Sequence, residues 1–186
     1  MAELTKVIKE RRSIRNYEEK DLSEELIMEI LESVKWAPSW ANTQCWEIVV
    51  VRDKEIKNKL KETIMPGNPG MKTLTTAPVV LAICGRLKES GFYSGNPTTK
   101  FGDWFMFDLG IVSQNISLKA HDLGLGTLII GLFDHEKAKL ALGVPENNEI
   151  VALIPVGYPA KTPSAPKRRE VKEFSHLNKF GQKIIG

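Results

Sequence analysis

Ala77–Cys84, read A-P-V-V-L-A-I-C, constrains the fold more than any other stretch of this 186-residue chain. It is apolar throughout and β-branched at several positions, which predicts a central strand rather than one with a wet face. Such a strand needs apolar cover above and below. The flanking segments offer it: Leu26, Ile27, Ile30, Leu31 and Val34 recur at helical spacing behind a Ser23 N-cap, with Leu22 placed as a staple. A second helix, Lys54–Thr63, is capped by Asp53 and turns Ile56, Leu60 and Ile64 inward. Trp104–Leu123 predicts the longest helix. It carries few charges between Gly110 and Leu118, which places it in the core or across a subunit interface.

Short helices are expected at Leu4–Glu10 and from an Asp134 cap to Gly143, and further strands at Glu47–Val51, Thr127–Ile130 and Ile150–Val156. Helices and strands alternate, but the apolar runs are few and one long helix is nearly all apolar, so one sheet sandwiched by helices, with buried helices shared between subunits, fits best. The length suits a single domain with a real core. Gly85–Gly102 is irregular, with Phe92, Tyr93 and Phe101 interleaved, and reads either as a lid or as a mobile loop. After Gly157-Tyr158-Pro159 the chain is basic, polar and proline-rich through Arg169, and such a tail needs another surface to lie on.

Composition excludes several classes. The apolar share is 42%, the charged share 26% and the net charge +3, ordinary for a globular protein and too weak for bulk nucleic-acid binding. Cys45 and Cys84 make no disulfide framework, and the N-terminus has no secretory apolar core. No apolar run approaches the ~20 residues of a membrane span. A cytoplasmic protein with neither membrane nor nucleic-acid partners is expected. His121, His135 and His176 share no metal-ligand spacing, so no metal site is predicted. Gly124-Leu125-Gly126 follows a helix and precedes a strand, the reverse of a dinucleotide-binding loop, and Ile129 stands where a third glycine is required. No nucleophile with its base stands out, which points to chemistry carried by a cofactor.

Two features suggest what is bound. Arg11, Arg12 and Arg15 cluster with Ser13 near the start, and Lys167, Arg168 and Arg169 cluster near the end. Guanidiniums fork onto phosphate oxygens, but a basic cluster also reads as a solvated face. Between the first long helix and the first strand lies A-P-S-W-A-N-T-Q-C-W, residues 37–46. Pro38, Ser39, Trp40, Asn42 and Gln44 form either a plain turn anchored by two Trp or a carboxamide edge for a ligand with alternating donors and acceptors.

R-R-S-I-R, then P-S-W-A-N-T-Q-C-W, then G-L-G-T-L-I-I-G, then V-G-Y-P-A with K-R-R beyond, resemble in order and spacing the nitroreductase family of FMN-dependent oxidoreductases. The resemblance spans nearly the whole chain. It implies an α+β fold, an intertwined homodimer around a mixed or antiparallel sheet sandwiched by helices, with each FMN site at the subunit interface. Arg11, Arg12, Ser13 and Arg15 would hold the phosphate and the pyrimidine side of the flavin. Pro38, Ser39, Trp40, Asn42 and Gln44 would approach from the other subunit. Ile130 and Gly131 would place backbone near flavin N5, and Lys167 and Arg169 would complete the phosphate site. Arg15, Ile130 and Gly131 would be the catalytic positions. The implied reaction is a two-step hydride transfer from NADH or NADPH, through the flavin, to a nitroaromatic, quinone or similar small acceptor. A dehalogenase or enoate-type reductase of the same fold and a non-catalytic flavin sensor or carrier are the alternatives. Cys45 stands where the family often has Pro, and Ile130 where some members have an acidic residue. The segment 65–102 is expected to be the variable substrate segment, and 157–186 an extension onto the partner.

Overall fold

The computed structural model describes residues 3–184; Met1, Ala2 and the last two residues of the expected extension, Ile185 and Gly186, lie outside the described residues. Helix α1 (Leu4–Glu10) leads through an extended stretch to α2 (Glu24–Lys35), and a 3-10 turn at Trp40–Asn42 delivers the chain into β1 (Trp46–Val51). Helices α3 (Lys54–Thr63) and α4 (Thr73–Thr76) precede β2 (Val79–Arg86). A small hairpin, β3 (Phe92–Tyr93) with β4 (Asn96–Pro97), comes before α5 (Phe105–Asp122) and β5 (Gly126–Thr127). Then follow α6 (His135–Leu142), β6 (Asn148–Gly157) and α7 (Val171–Phe174).

The main sheet has the order β1-β2-β6-β5, with every neighbouring pair antiparallel. Strand β2 is central and buried on both faces, as its composition requires. Val79, Leu81 and Ile83 point into a core shared with Ile27, Ile30 and Val34 of α2 and Leu109, Val112 and Ile116 of α5. Val80, Ala82 and Cys84 point the other way, into a core with Leu60 of α3 and Ala138 of α6. This is the period-two alternation of a pleated strand, and burying each Leu, Ile or Val stabilises the fold by about 1.5–3 kcal/mol. The result is the expected α+β sandwich.

Local signals set the helix starts. Ser23 accepts from the Leu26 N–H at 3.4 Å, Asp53 from Ile56 at 2.8 Å and Asp134 from Lys137 at 3.1 Å. Gly143 closes α6 in the left-handed region, φ 65°.

Strand boundaries depart from expectation for physical reasons. Strand β2 starts at Val79 rather than Ala77, because Pro78 has no N–H and buried Lys57 takes the Ala77 and Pro78 carbonyls at 2.9 and 3.3 Å. The expected strand Thr127–Ile130 is reduced to Gly126–Thr127. Leu128 and Ile129 leave the ladder, and Ile130 rejoins it by exchanging hydrogen bonds with Leu153 at 3.0 and 2.9 Å. The irregular segment before α5 is a closed loop: the Trp104 N–H donates to Ser90 O at 2.9 Å and the Thr98 N–H to Gly91 O at 2.8 Å. Helix α5 buries Leu109, Val112, Ser113, Ile116, Ser117 and Ala120, as expected of its middle, and exposes Met106 and Phe107 in its first turn. Among the described residues, no helix is long and apolar enough to cross a membrane.

Residues 11–15 lie parallel to β5, through the Ser13–Thr127 bridge and the Ile14 N–H to Thr127 O bond at 2.8 Å. Gly126 permits that approach, because a Cβ there would stand 2.7 Å from the Cβ of buried Ile14. Gly126→Ala is therefore expected to destabilise by about 2 kcal/mol, lowering Tm by roughly 4–8 °C in a thermal melt. An unchanged melt would show that Ile14 yields without penalty.

Candidate functional site

Pairing of segment 11–15 with β5 brings two of the sequence clusters together. On the α5 side, Arg11 and Arg12 line a cavity of about 110 Å³ with Ser117, His121, Leu125, Thr127 and Thr162. Further along the same paired segments, Arg15 lines a second cavity of about 230 Å³ with Asn68, Pro69, Gly70 and the run Leu128–Leu132. Among the described residues, no carboxylate forms an ion pair with Arg11, Arg12 or Arg15. Burial lowers the pKa of Arg11, and the like charges of Arg12 and then Arg168 lower it further. Glu10 also lines the first cavity but pairs with none of these guanidiniums, and a cluster of unpaired guanidiniums fits a ligand that supplies an anion.

The tail divides its cations differently from the expectation. Arg168 is the tail residue whose charge acts on Arg11, whereas Arg169 donates to Glu173 O at 2.7 Å and lies over the Phe174 ring. Lys167 is exposed. Arg12 turns one nitrogen back onto the carbonyls of Lys9 and Arg11, at 2.6 and 2.9 Å, fixing the end of α1.

Ile130 needs correction as a backbone donor. Its N–H is already given to Leu153 O, and its side chain is buried. The next residue, Gly131, is exposed, and among the described residues its amide makes no hydrogen bond. Any donation at this point of the site falls to Gly131. Asn68 was missed by sequence reasoning. It donates to Leu132 O at 3.4 Å and accepts from the Gly70 N–H at 2.8 Å, so the turn 65–70 becomes one wall of the Arg15 cavity. An N-P-G turn is legible in sequence, but its contact with a segment sixty residues away is not.

The loop 37–46 stands elsewhere. It enters β1 at one edge of the sheet, beside the end of β2, while β5 pairs with the far end of β6 at the other edge. Three strand spacings, roughly 14 Å, separate the edges, and the stagger along the strands adds to that. One chain therefore places its carboxamide loop and its arginine cavities at opposite corners. Within the loop, the Gln44 side chain donates to that of Asn42 at 3.2 Å, and both residues are exposed. Ala41, Asn42 and Gln44 hold φ of 44°, 56° and 49°. Left-handed backbone at a residue other than glycine costs about 1–2 kcal/mol each, so the surroundings must enforce it. Ser39 helps, its hydroxyl accepting from the Gln44 N–H at 2.9 Å, while Pro38 is exposed. Trp40 lies 5.8 Å from Trp104, which also meets Phe101 at 5.8 Å and Phe107 at 5.5 Å, an aromatic wall beside the loop.

Cys45 is fully buried, and burial, then the Asp108 charge, pushes its thiol up to about 12. It stays protonated and unreactive. His121 sits in the Arg11 cavity, with its pKa lowered first by burial. His135 places Nδ1 2.7 Å from Ile150 O and stacks on Phe133, a structural role.

Known proteins are similar to this chain in sequence and in fold. The profile of the Nitroreductase family matches residues 8–158. A candidate NADH dehydrogenase/NAD(P)H nitroreductase of Archaeoglobus fulgidus is 33% identical over 163 residues, covering 86% of this chain and 87% of that protein. The FMN reductase [NAD(P)H] of Bacillus subtilis is 28% identical over 96% of this chain and 76% of its own length. The solved structure of an FMN-dependent nitroreductase from Clostridium difficile superposes with a TM-score of 0.79 at 26% identity, over 95% of this chain and 99% of that one. With the family profile spanning Arg11, Arg12, Arg15 and the carboxamide loop, the chain belongs to the nitroreductase family.

Proposed function

We propose that this protein is an FMN-dependent oxidoreductase. It passes hydride from NADH or NADPH to a small oxidised acceptor, a nitroaromatic or quinone, in two successive half-reactions. The observation that carries this reading is the gathering of Arg11, Arg12 and Arg168 beside a second cavity holding Arg15 and the unengaged Gly131 amide. Those residues fit FMN: the first group matches a phosphate, and the second a planar ring edge with polar atoms. The FMN and NAD(P)H in the names of the relatives support the same choice.

When bound, FMN supplies the hydride-accepting and hydride-donating ring. The chain's own residues bind and bias it. Arg11 and Arg12, with Lys167, Arg168 or Arg169 from the tail, anchor the phosphate. Ser13 and Asn68 orient the polar edge, and Gly131 offers an N–H. The Arg15 guanidinium stabilises the negative charge that hydride transfer brings into the site.

Each site is composite. Because the sheet separates the two sets of residues by its full width, Pro38, Ser39, Trp40, Asn42 and Gln44 complete the site of a second copy. The exposed Met106 and Phe107 of α5, and Val171, Phe174 and Leu177 of the tail, supply the apolar surface that such a dimer buries. The rings of Trp104, Phe101 and Phe107 lie beside the loop and favour a flat aromatic acceptor, with the segment 65–102 shaping access to it.

Steady NAD(P)H consumption driven by a quinone or nitroaromatic tests the activity, and a holoprotein that turns over neither contradicts it. Arg15→Ala is expected to retain FMN yet be reduced by NADH about tenfold more slowly in anaerobic stopped flow, and unchanged kinetics would remove Arg15 from the mechanism. In sedimentation velocity, the flavin absorbance should travel only with the dimer. Fully flavinated monomers would rule out the composite site.

A further inference from the structure

The turn Trp40–Gln44 is held against its own backbone preference by two charged side chains that lie outside the site proposed above. Asp108, 1% exposed in the first turn of α5, accepts the Trp40 N–H at 3.2 Å on each carboxylate oxygen. The same carboxylate accepts the Ser90 hydroxyl at 2.6 Å and the Cys45 thiol at 3.6 Å. Every partner is a donor, as an ionised acid requires, and the helix N-terminus favours the negative charge. At the other end of the turn, Arg86 donates to the carbonyls of Gln44 at 3.0 Å and Thr43 at 3.4 Å. Its guanidinium is fixed by Glu47 at 2.5 Å and Glu89 at 2.8 Å. A carboxylate thus takes the amide that opens the turn, and a guanidinium takes the carbonyls that close it.

Ser90 and Glu89 both belong to the closed loop before α5, so each clamp also ties that loop to the turn. We infer that Asp108 and Arg86 are positioning residues, holding the Trp40–Gln44 turn in its left-handed shape so that Asn42 and Gln44 are presented to the cofactor of the partner copy. The inference rests on the flavin reading, and it assigns neither residue a contact with the flavin. It also joins the cofactor loop mechanically to the acceptor-side loop 87–104.

The test is FMN titration of the apo-protein for wild type, Asp108→Asn and Arg86→Gln, each with and without Ala41→Gly, alongside amide hydrogen exchange. Each clamp variant is expected to weaken FMN binding about tenfold or more, with faster exchange at Trp40–Cys45 and unchanged protection in β2 and β6. Ala41→Gly should recover a substantial part of the loss, because glycine adopts φ 44° without a steric penalty. Affinities within about twofold of wild type would overturn the inference. So would a loss that Ala41→Gly leaves unrecovered while protection falls across the sheet, since that describes general destabilisation. A wild-type protein that takes up no FMN would remove the flavin reading itself, and this inference with it.

Discussion

The structure depends on a strand with no side to show to water. Strand β2 must be covered on both faces, and α2 with α5 on one side and α3 with α6 on the other are the cover. Once β2 is central, β1 and β5 become the edges, and the two segments proposed to bind the flavin are attached to those edges. The arginines of residues 11–15 dock against β5, and the carboxamide turn feeds β1. The width of a four-stranded sheet then keeps them apart within one chain. A cofactor that needs both sets needs two chains. Apolar surface on α5 and along the tail is what such a pairing would cover.

Charge supplies the second theme. Among the described residues, Lys35, Arg52, Arg86, Lys119, Lys137 and Lys139 each pair with an acid, as with Lys119 and Glu29 or Lys139 and Glu149. Arg11, Arg12 and Arg15 do not, and the tail adds Arg168 to the same neighbourhood. Like charges brought together raise one another's energy, and a bound phosphate would reverse the sign of that interaction. The turn at Trp40–Gln44 is a parallel case in backbone geometry: an unfavourable conformation is retained because a buried carboxylate and a fixed guanidinium over-determine it.

How much of this was legible depended on range. Capped helix starts at Ser23, Asp53 and Asp134 could be read because a cap and its N–H partner lie three residues apart. The two-sided burial of β2 followed from its apolar run. The early end of β5 could not be read, since Leu128 and Ile129 are as strand-like as their neighbours and only the path of β6 shows where pairing stops. Likewise, nothing near Ile130 in the sequence shows that Leu153 takes its N–H. Asn68, Arg168 and the Asp108 clamp share one property: each acts on a partner far away in the chain. The basic and carboxamide motifs, and through them the family, were visible in sequence. Which corner of the sheet each occupies was not.

The arginine cavities are proposed to hold a flavin that nicotinamide can reduce. The most direct measurement is the visible absorption spectrum of the purified protein, before and after anaerobic NADH or NADPH. An oxidised-flavin spectrum that bleaches on addition of the donor is expected. A colourless protein that also fails to take up added FMN would contradict it, as would a flavin band that both nucleotides leave untouched.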